Sequence, residues 1–343
     1  MGREGPVGAT DQSRLVEFSG SVIQTSRAAL AGQRGAALVF VLMVLTILAV
    51  AVFAFSDTSQ LDATHARNFR DGARAFFLAR AGVEHGMVLL EEDDNDFDTL
   101  QEEWAQDPQA LELGDGRIEI RIQDEERKFN INLLALGAGE GAGARGEMIK
   151  RLFDQLGVGE TFLPYLIDWI DDDQEEMPPG SEGAYYDALP HPYPVKNAPI
   201  EALSDLAAVA AAGEAIFEKF GVAGTQPGPR VDENQYLTVY STGEVNINTA
   251  GTDVLMSLSS AITEGVAQEI VSYREARPFE KETDLRDLPV VRDIFGDIQE
   301  IITTLSTNFL IVATARVNGV ERCIRAHVQR LDGEVSIQSW VVE

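Results

Sequence analysis

Cysteine is nearly missing: one residue, Cys323, in a chain of 343, so no disulfide can form within it. Set in "VERCIRAHVQRL", with no His/Asn pattern to support a reactive thiol, it reads as a small apolar residue of a strand. Histidine is scarce as well, with four, which leaves oxygen as the ligand atom for any metal. Positive charge is the third shortage. Lys and Arg number 27 against 56 Asp and Glu, a formal charge of −29. A phosphate backbone needs a basic face, so no nucleic-acid partner is expected; cations, basic protein surfaces or simple solubility fit better. Catalytic signatures are missing too. There is no nucleophile elbow, P-loop, metallo-hydrolase His pair or dinucleotide fingerprint, and the chain reads as a non-enzyme. What remains is 45% hydrophobic, enough for a sizeable core, and its length suits two or three domains.

One apolar run stands out, "QRGAALVFVLMVLTILAVAVFAFSD", residues 33–57. No charge falls between Gly35 and Phe55, and only Thr46 is polar. About 20 apolar residues at 1.5 Å each cross a bilayer core. Arg27 and Arg34 precede the run and Asp57 follows it, which keeps the N-terminus cytoplasmic and sends the bulk across. A secretory signal would be shorter and end in an Ala-x-Ala-like site, unlike "FAFSD". A plain single-span anchor fits. So does a third reading: Arg34-Gly35 followed by Ala36 and an unbroken apolar helix resembles a type IV prepilin cleavage site. That resemblance implies processing between Gly35 and Ala36 by prepilin peptidase, with 1–35 as leader, methylation of the new N-terminus and 36–56 as the transmembrane helix. Most pilins carry Glu at the fifth mature position. Here it is Phe40, which matches the K-type minor pseudopilins of type II secretion.

From Ser56 to Leu90 the chain has no Pro, and apolar residues recur at Phe69, Ala73, Phe76, Phe77, Ala81 and Met87 or Val88. That spacing predicts a helix continuing out of the membrane, with this face buried against a sheet. Gly72, Gly82 and Gly86 either weaken it or mark close packing. "EEDDNDFD", residues 91–98, ends it as a solvated charge run. Asp115-Gly116 signals a turn and residues 117–124 alternate as a strand. Near the C-terminus "FLIVATARV" and "VERCIRAHVQRL" flank Asn318-Gly319, a type I′ hairpin signal, and Asp332-Gly333 leads to a third strand, "EVSIQSWVV". The fold class is therefore α+β. A long N-terminal helix lies on a small antiparallel sheet built from 57–128 and 308–343, with a large, mostly helical domain inserted over 129–307.

The insertion carries a weak duplication, about 129–225 and 235–307. "KFNINLLA" corresponds to "EVNINTAG", and "NAPIEALSDL" echoes "RPFEKETDLRDL". Asn at such entry turns can cap a helix or bond nearby backbone. Residues 244–290 resemble a helix-hairpin-helix (SAM-like) unit, which makes a membrane-anchored DNA-uptake protein the rival reading. In DNA-binding members backbone amides of a Gly-rich hairpin meet phosphate. Here "SLSSAITEGVA" replaces that hairpin, and Glu264, Glu269, Glu275, Glu280 and Glu282 would repel phosphate.

The most chemically pointed stretch is "LIDWIDDDQEEMPPGSEGAYYDALPHPYPVKNAP". Asp171, Asp173 and Glu175 alternate and Glu182 falls eleven residues after Asp171, the carboxylate spacing of a twelve-residue calcium loop. Glu176 replaces the sharp-turn Gly and Pro179 interrupts, so this is not an EF-hand. Oxygen ligands alone suit a hard cation such as Ca²⁺. The alternative is an acidic surface loop with Trp169, Tyr185 and Tyr186 packed beneath, and Asp168 as a helix-end residue or a further ligand. His191 reads as part of a rigid Pro loop.

This stretch is similar to the segment that marks the general secretion pathway protein K family. The order along the chain agrees: Gly-Ala site, missing fifth-position Glu, long helix, duplicated helical insertion, closing strands. The resemblance implies a minor pseudopilin at the tip of the type II secretion pseudopilus. Such a subunit is anchored in the bacterial inner membrane with its bulk in the periplasm. Its implied partners are I- and J-type minor pseudopilins, the major pseudopilin and the peptidase. It also implies bound Ca²⁺, carried over to Asp171, Asp173 and Glu182 first and then to Glu175, Glu176 and Asp187.

Overall fold

A computed structural model describes residues 20–106, 109–136, 142–220 and 235–343. Residues 1–19 of the expected leader and residues 221–234, where the first expected repeat ends, lie outside these. The chain divides into two units, residues 1–70 and 71–343. A single helix, α1 (Gly20–Glu91), runs through the apolar stretch and past the boundary. In the first unit every described side chain from Gly35 to Arg70 is exposed. Among the described residues α1 is the one helix long and apolar enough to cross a membrane.

In the second unit α1 is followed by β1 (Gln109–Leu113) and β2 (Gly116–Asp124). The insertion then contributes β3 (Phe129–Asn130), α2 (Ala142–Gln155), α3 (Gly159–Ile170), α4 (Gly183–Asp187) and α5 (Glu214–Phe220). Its second half holds β4 (Leu237–Thr238), β5 (Val245–Asn246), α6 (Thr252–Leu258), α7 (Glu264–Ala276), α8 (Pro289–Ile298) and β6 (Ile302–Thr303). Three strands close the chain: β7 (Asn308–Val317), β8 (Val320–Leu331) and β9 (Glu334–Val342). The main sheet has five antiparallel strands in the order β1-β2-β7-β8-β9. The type I′ signals hold. Asn318 and Gly319 turn with φ 49 and 84, Asp332 and Gly333 with φ 53 and 79, the left-handed backbone those residues tolerate. The first hairpin turns one residue earlier than expected, at Gly114-Asp115, because Gly116 already pairs with Leu113 and Val317.

The expected helix face is corrected in part: Phe76 and Met87 are half-buried and pack on the core beside the sheet. Phe69, Ala73, Phe77 and Ala81 are exposed, Phe69 by 81% and Phe77 by 64%. The face laid on the sheet is made of small residues instead: Ala75, Ala79, Gly82, Val83 and Gly86, ending in Leu90. A Cβ on Gly82 would lie 2.9 Å from both Ala313 Cβ and Ile118 Cγ2, and one on Gly86 2.9 Å from Ile311 Cγ2. These glycines are close-packing contacts. They let the helix backbone approach the sheet, while the rings of Phe69 and Phe77 stay outside.

The insertion hangs between adjacent strands, since Asp124 of β2 pairs with Phe309 of β7. Buried polar groups tie the joint. Glu126 accepts bonds from the Asn308 amide (3.0 Å), Asn308 Nδ2 (2.8 Å) and Thr307 Oγ1 (3.2 Å), and Thr249 Oγ1 donates to Asp124. The insertion has its own apolar core, separate from that under α1, and the two Asn-Ile-Asn turns open it in matching ways. Asn130 Oδ1 accepts from the Asn132 amide, as Asn246 Oδ1 does from that of Asn248. The Asn132 carboxamide bonds the Ile200 backbone in both directions, as the Asn248 carboxamide bonds that of Phe279.

Candidate metal centre

Helix α3 buries Phe162, Leu166, Trp169 and Ile170, and its last turn also sends in a carboxylate, Asp168, with no exposure. Both Asp168 oxygens accept the Met177 amide, at 3.0 and 3.2 Å. A Cβ at residue 180 would stand 2.2 Å from Asp168 Oδ2, so only glycine fits there. Asp168 is thus the post around which the acidic loop is wound. The loop is fixed further by Asp173, whose Oδ1 accepts the Glu175 amide at 2.7 Å. It is also held by Asn197, which donates through Nδ2 to the Asp173 carbonyl at 2.8 Å.

Short α4 returns the chain beneath the loop. Tyr186 is wholly buried, accepts the Ala210 amide through its hydroxyl at 3.0 Å, and packs on Trp169 and Tyr193 with ring centres 5.0 and 5.4 Å away. The expected floor of Trp169, Tyr185 and Tyr186 is corrected in part. Tyr185 is 45% exposed and meets only the edge of Tyr186, while Tyr193, unmarked in sequence and itself partly open to solvent, packs on both Trp169 and Tyr186.

This frame brings Asp171, Asp173 and Glu182 together, with one oxygen of each within 4.8 Å of the others. Glu182 is 4% exposed, and neither carboxylate oxygen has a hydrogen-bond donor; the Gly183 amide leans toward it outside bonding geometry. Asp171 Oδ1 is likewise buried without a donor. Burial, and then the charges of Asp173, Asp168 and Asp172, push the Asp171 carboxyl up to about 6. Burial, and then Asp168, Asp171 and Asp173, push Glu182 up to about 7. Buried acceptors facing one another without donors favour a cation among them. A donor set of oxygen alone fits a hard divalent ion. Glu175, Glu176 and Asp187 are exposed and stand outside this group.

A second acidic group, Asp93, Asp98 and Glu102, corrects in part the reading of 91–98 as a solvated run: Glu91, Glu92, Asp94 and Asp96 are exposed, but Asp98 is not. Asp98 has no exposure. Arg330 Nη2 lies 2.6 and 2.7 Å from its oxygens, and the Ser306 amide donates to it at 2.6 Å. Arg330 also reaches Asp93 at 2.8 Å. Trp104 Nε1 donates to Glu102 at 2.6 Å. Elsewhere, Gly35 and Ala36 are exposed within α1. Glu264, Glu269, Glu275 and Glu280 are exposed around α7, while Glu282 accepts the Thr304 amide at 3.3 Å.

Family models described as "Type II secretion system (T2SS), protein K" match residues 127–221 and 245–308. Type II secretion system protein K of Klebsiella pneumoniae is 27% identical over 197 residues, 54% of this chain and 60% of the relative. That of Aeromonas hydrophila is 27% identical over 195 residues, 52% and 58%. The chain thus spans about three fifths of the curated relatives it matches. Among solved structures, a chain of the GspK-GspI-GspJ complex from enterotoxigenic Escherichia coli is similar in fold. Its TM-score is 0.61 at 20% identity, covering 83% of this chain and 99% of that one.

Proposed function

We propose that this chain, which belongs to the type II secretion system protein K family, works as a minor pseudopilin of type II secretion, a structural subunit rather than an enzyme. The observation that carries the reading is the continuous helix α1. It is apolar and exposed over its first part and packed on an antiparallel sheet at its end, and that sheet is interrupted by a large insertion between neighbouring strands. In this reading prepilin peptidase cuts between Gly35 and Ala36. The apolar segment then holds the chain in the inner membrane, with the remainder in the periplasm. I- and J-type minor pseudopilins and the major pseudopilin are its partners. A carboxylate in lipid needs a partner to be tolerated. Phe40 needs none, as suits a subunit at the tip with no neighbour above it, where the bulk of the insertion stops further stacking.

Asp171, Asp173 and Glu182 hold Ca²⁺ in this reading, supported by the donorless oxygens of the buried Glu182. The ion supplies positive charge to the crowded carboxylates. The chain's own residues do the positioning: Asp168 winds the loop, and the Trp169–Tyr186–Tyr193 cluster fixes where Glu182 emerges. Mass spectrometry of the protein from cells with active peptidase tests the assembly role. A mature chain beginning at N-methylated Ala36 supports it, and an intact leader removes it.

A further inference from the structure

We infer that Asn197 supplies a further, uncharged oxygen to the cation held by Asp171, Asp173 and Glu182, an inference that rests on the calcium reading above. Its backbone amide donates to the Trp169 carbonyl at 3.0 Å and its Nδ2 to the Asp173 carbonyl at 2.8 Å. Asn197 therefore grips the chain on both sides of Asp171. The same segment passes Glu182: Val195 Cγ1 is 3.7 Å from where a Gly183 Cβ would stand.

The orientation of the carboxamide is fixed, because exchanging its ends would set Oδ1 against the Asp173 carbonyl. Oδ1 is thereby turned away from that bond. It is buried and receives no donor, the same condition as Asp171 Oδ1 and both Glu182 oxygens. Each of these atoms is an acceptor; a missing hydrogen-bond donor would have to serve them all, whereas one cation does so at once. The charge balance points the same way. Three carboxylates already exceed a divalent ion, so the next ligand that adds coordination without repulsion is a neutral amide oxygen, a common calcium ligand. Asn197 also holds φ 42, a left-handed conformation that Asn tolerates better than most residues and that fixes where its side chain starts.

The test uses the full-length chain in detergent, titrated with Ca²⁺ by calorimetry and with Tb³⁺ by luminescence, Trp169 serving as the antenna. Asn197→Gly keeps the left-handed backbone but removes the oxygen. Asn197→Asp keeps an oxygen but loses the Nδ2 clamp. The expected result is a loss of calcium affinity of about tenfold or more in Asn197→Gly. Tb³⁺ decay in light and heavy water should show an additional bound water in that variant, and wild-type hydration in Asn197→Asp. Equal affinity loss in both variants, or unchanged affinity and hydration in Asn197→Gly, would assign Asn197 to loop clamping alone and overturn the inference. If the wild type takes up no calcium and matches Asp171→Ala, the metal reading itself fails, a result distinct from either of these.

Discussion

Asp93, Asp98 and Glu102 on one side, and Asp171, Asp173 and Glu182 on the other, offer the same chemistry: three carboxylates with an oxygen of each within 4.8 Å of the others. Both groups contain a member almost without exposure, Asp98 and Glu182. They differ in what answers the charge. Asp98 meets Arg330 and the Ser306 amide, and Glu102 meets the Trp104 indole. Glu182 meets no donor. In the first region the chain provides its own cation from β8. In the second no donor from the chain answers the Glu182 carboxylate, and the proposed Ca²⁺ would take that place. The density of acidic residues is alike in the two groups; the supply of donors around them is not.

The strongest challenge to this contrast is Arg330→Ala. It leaves Asp98 buried without a counter-ion, and removing one partner of a buried pair costs about 3–5 kcal/mol. Urea unfolding should show that loss, and Arg330→Ala/Asp98→Asn should recover part of it. A loss under about 1 kcal/mol would mean that Asp98 is solvated after all.

Next in size is the calcium effect. At roughly 100 times Kd the ion should stabilise the wild type by about 2.7 kcal/mol. Thermal melting with and without chelator should show a shift in the wild type, in Arg330→Ala and in Glu175→Gln, and none in Glu182→Gln. A shift retained by Glu182→Gln would erase the distinction between the two clusters.

The completeness of the first region extends to its apolar contacts. Gly82→Val must place atoms where a Cβ alone would lie 2.9 Å from Ala313 and Ile118, and overpacking of this kind costs about 1–3 kcal/mol. Equilibrium denaturation measures it, and a neutral result would reveal slack between α1 and the sheet.

The last comparison concerns His327 on β8, stacked on Tyr240. Burial holds its imidazole down at about 4; Glu125 opposes this, and Lys128 and Arg325 add to it. The folded form is neutral and the unfolded ring titrates at about 6.5. Its contribution is therefore intact above about 6.5 and is lost as the pH falls toward 4. His327→Phe keeps the stacking without the titration. Its melting temperature, relative to wild type, should rise between pH 7 and 4.5. A constant difference would show that the ring already accepts a proton in the fold.

What the sequence disclosed followed local rules. The membrane-length run, the alternating strands and the Asn318-Gly319 turn are each set within a few residues, and each stands as expected. The close spacing of Asp171, Asp173 and Glu182 was legible for the same reason. The misreadings have distant causes. Asp93 and Asp98 look as solvated as their neighbours until Arg330, 232 positions after Asp98, is folded against them. The apolar positions of α1 suggested a buried aromatic face. A helix lying tightly on a sheet needs small residues at the contact, and small residues carry little periodic signal. Asn197 gave no metal signal because it is uncharged and fifteen places beyond Glu182, and Tyr193 was hidden among prolines.

The pairing of Asp124 with Phe309 has one more consequence. The chain leaves the sheet and comes back at facing positions, so the strand register does not depend on how many residues lie in the excursion. Closing a longer excursion costs only a slowly rising entropy. A replacement for the excursion need only keep its two ends together and answer the buried Asp124 and Glu126 as Thr249 and Thr307 do now.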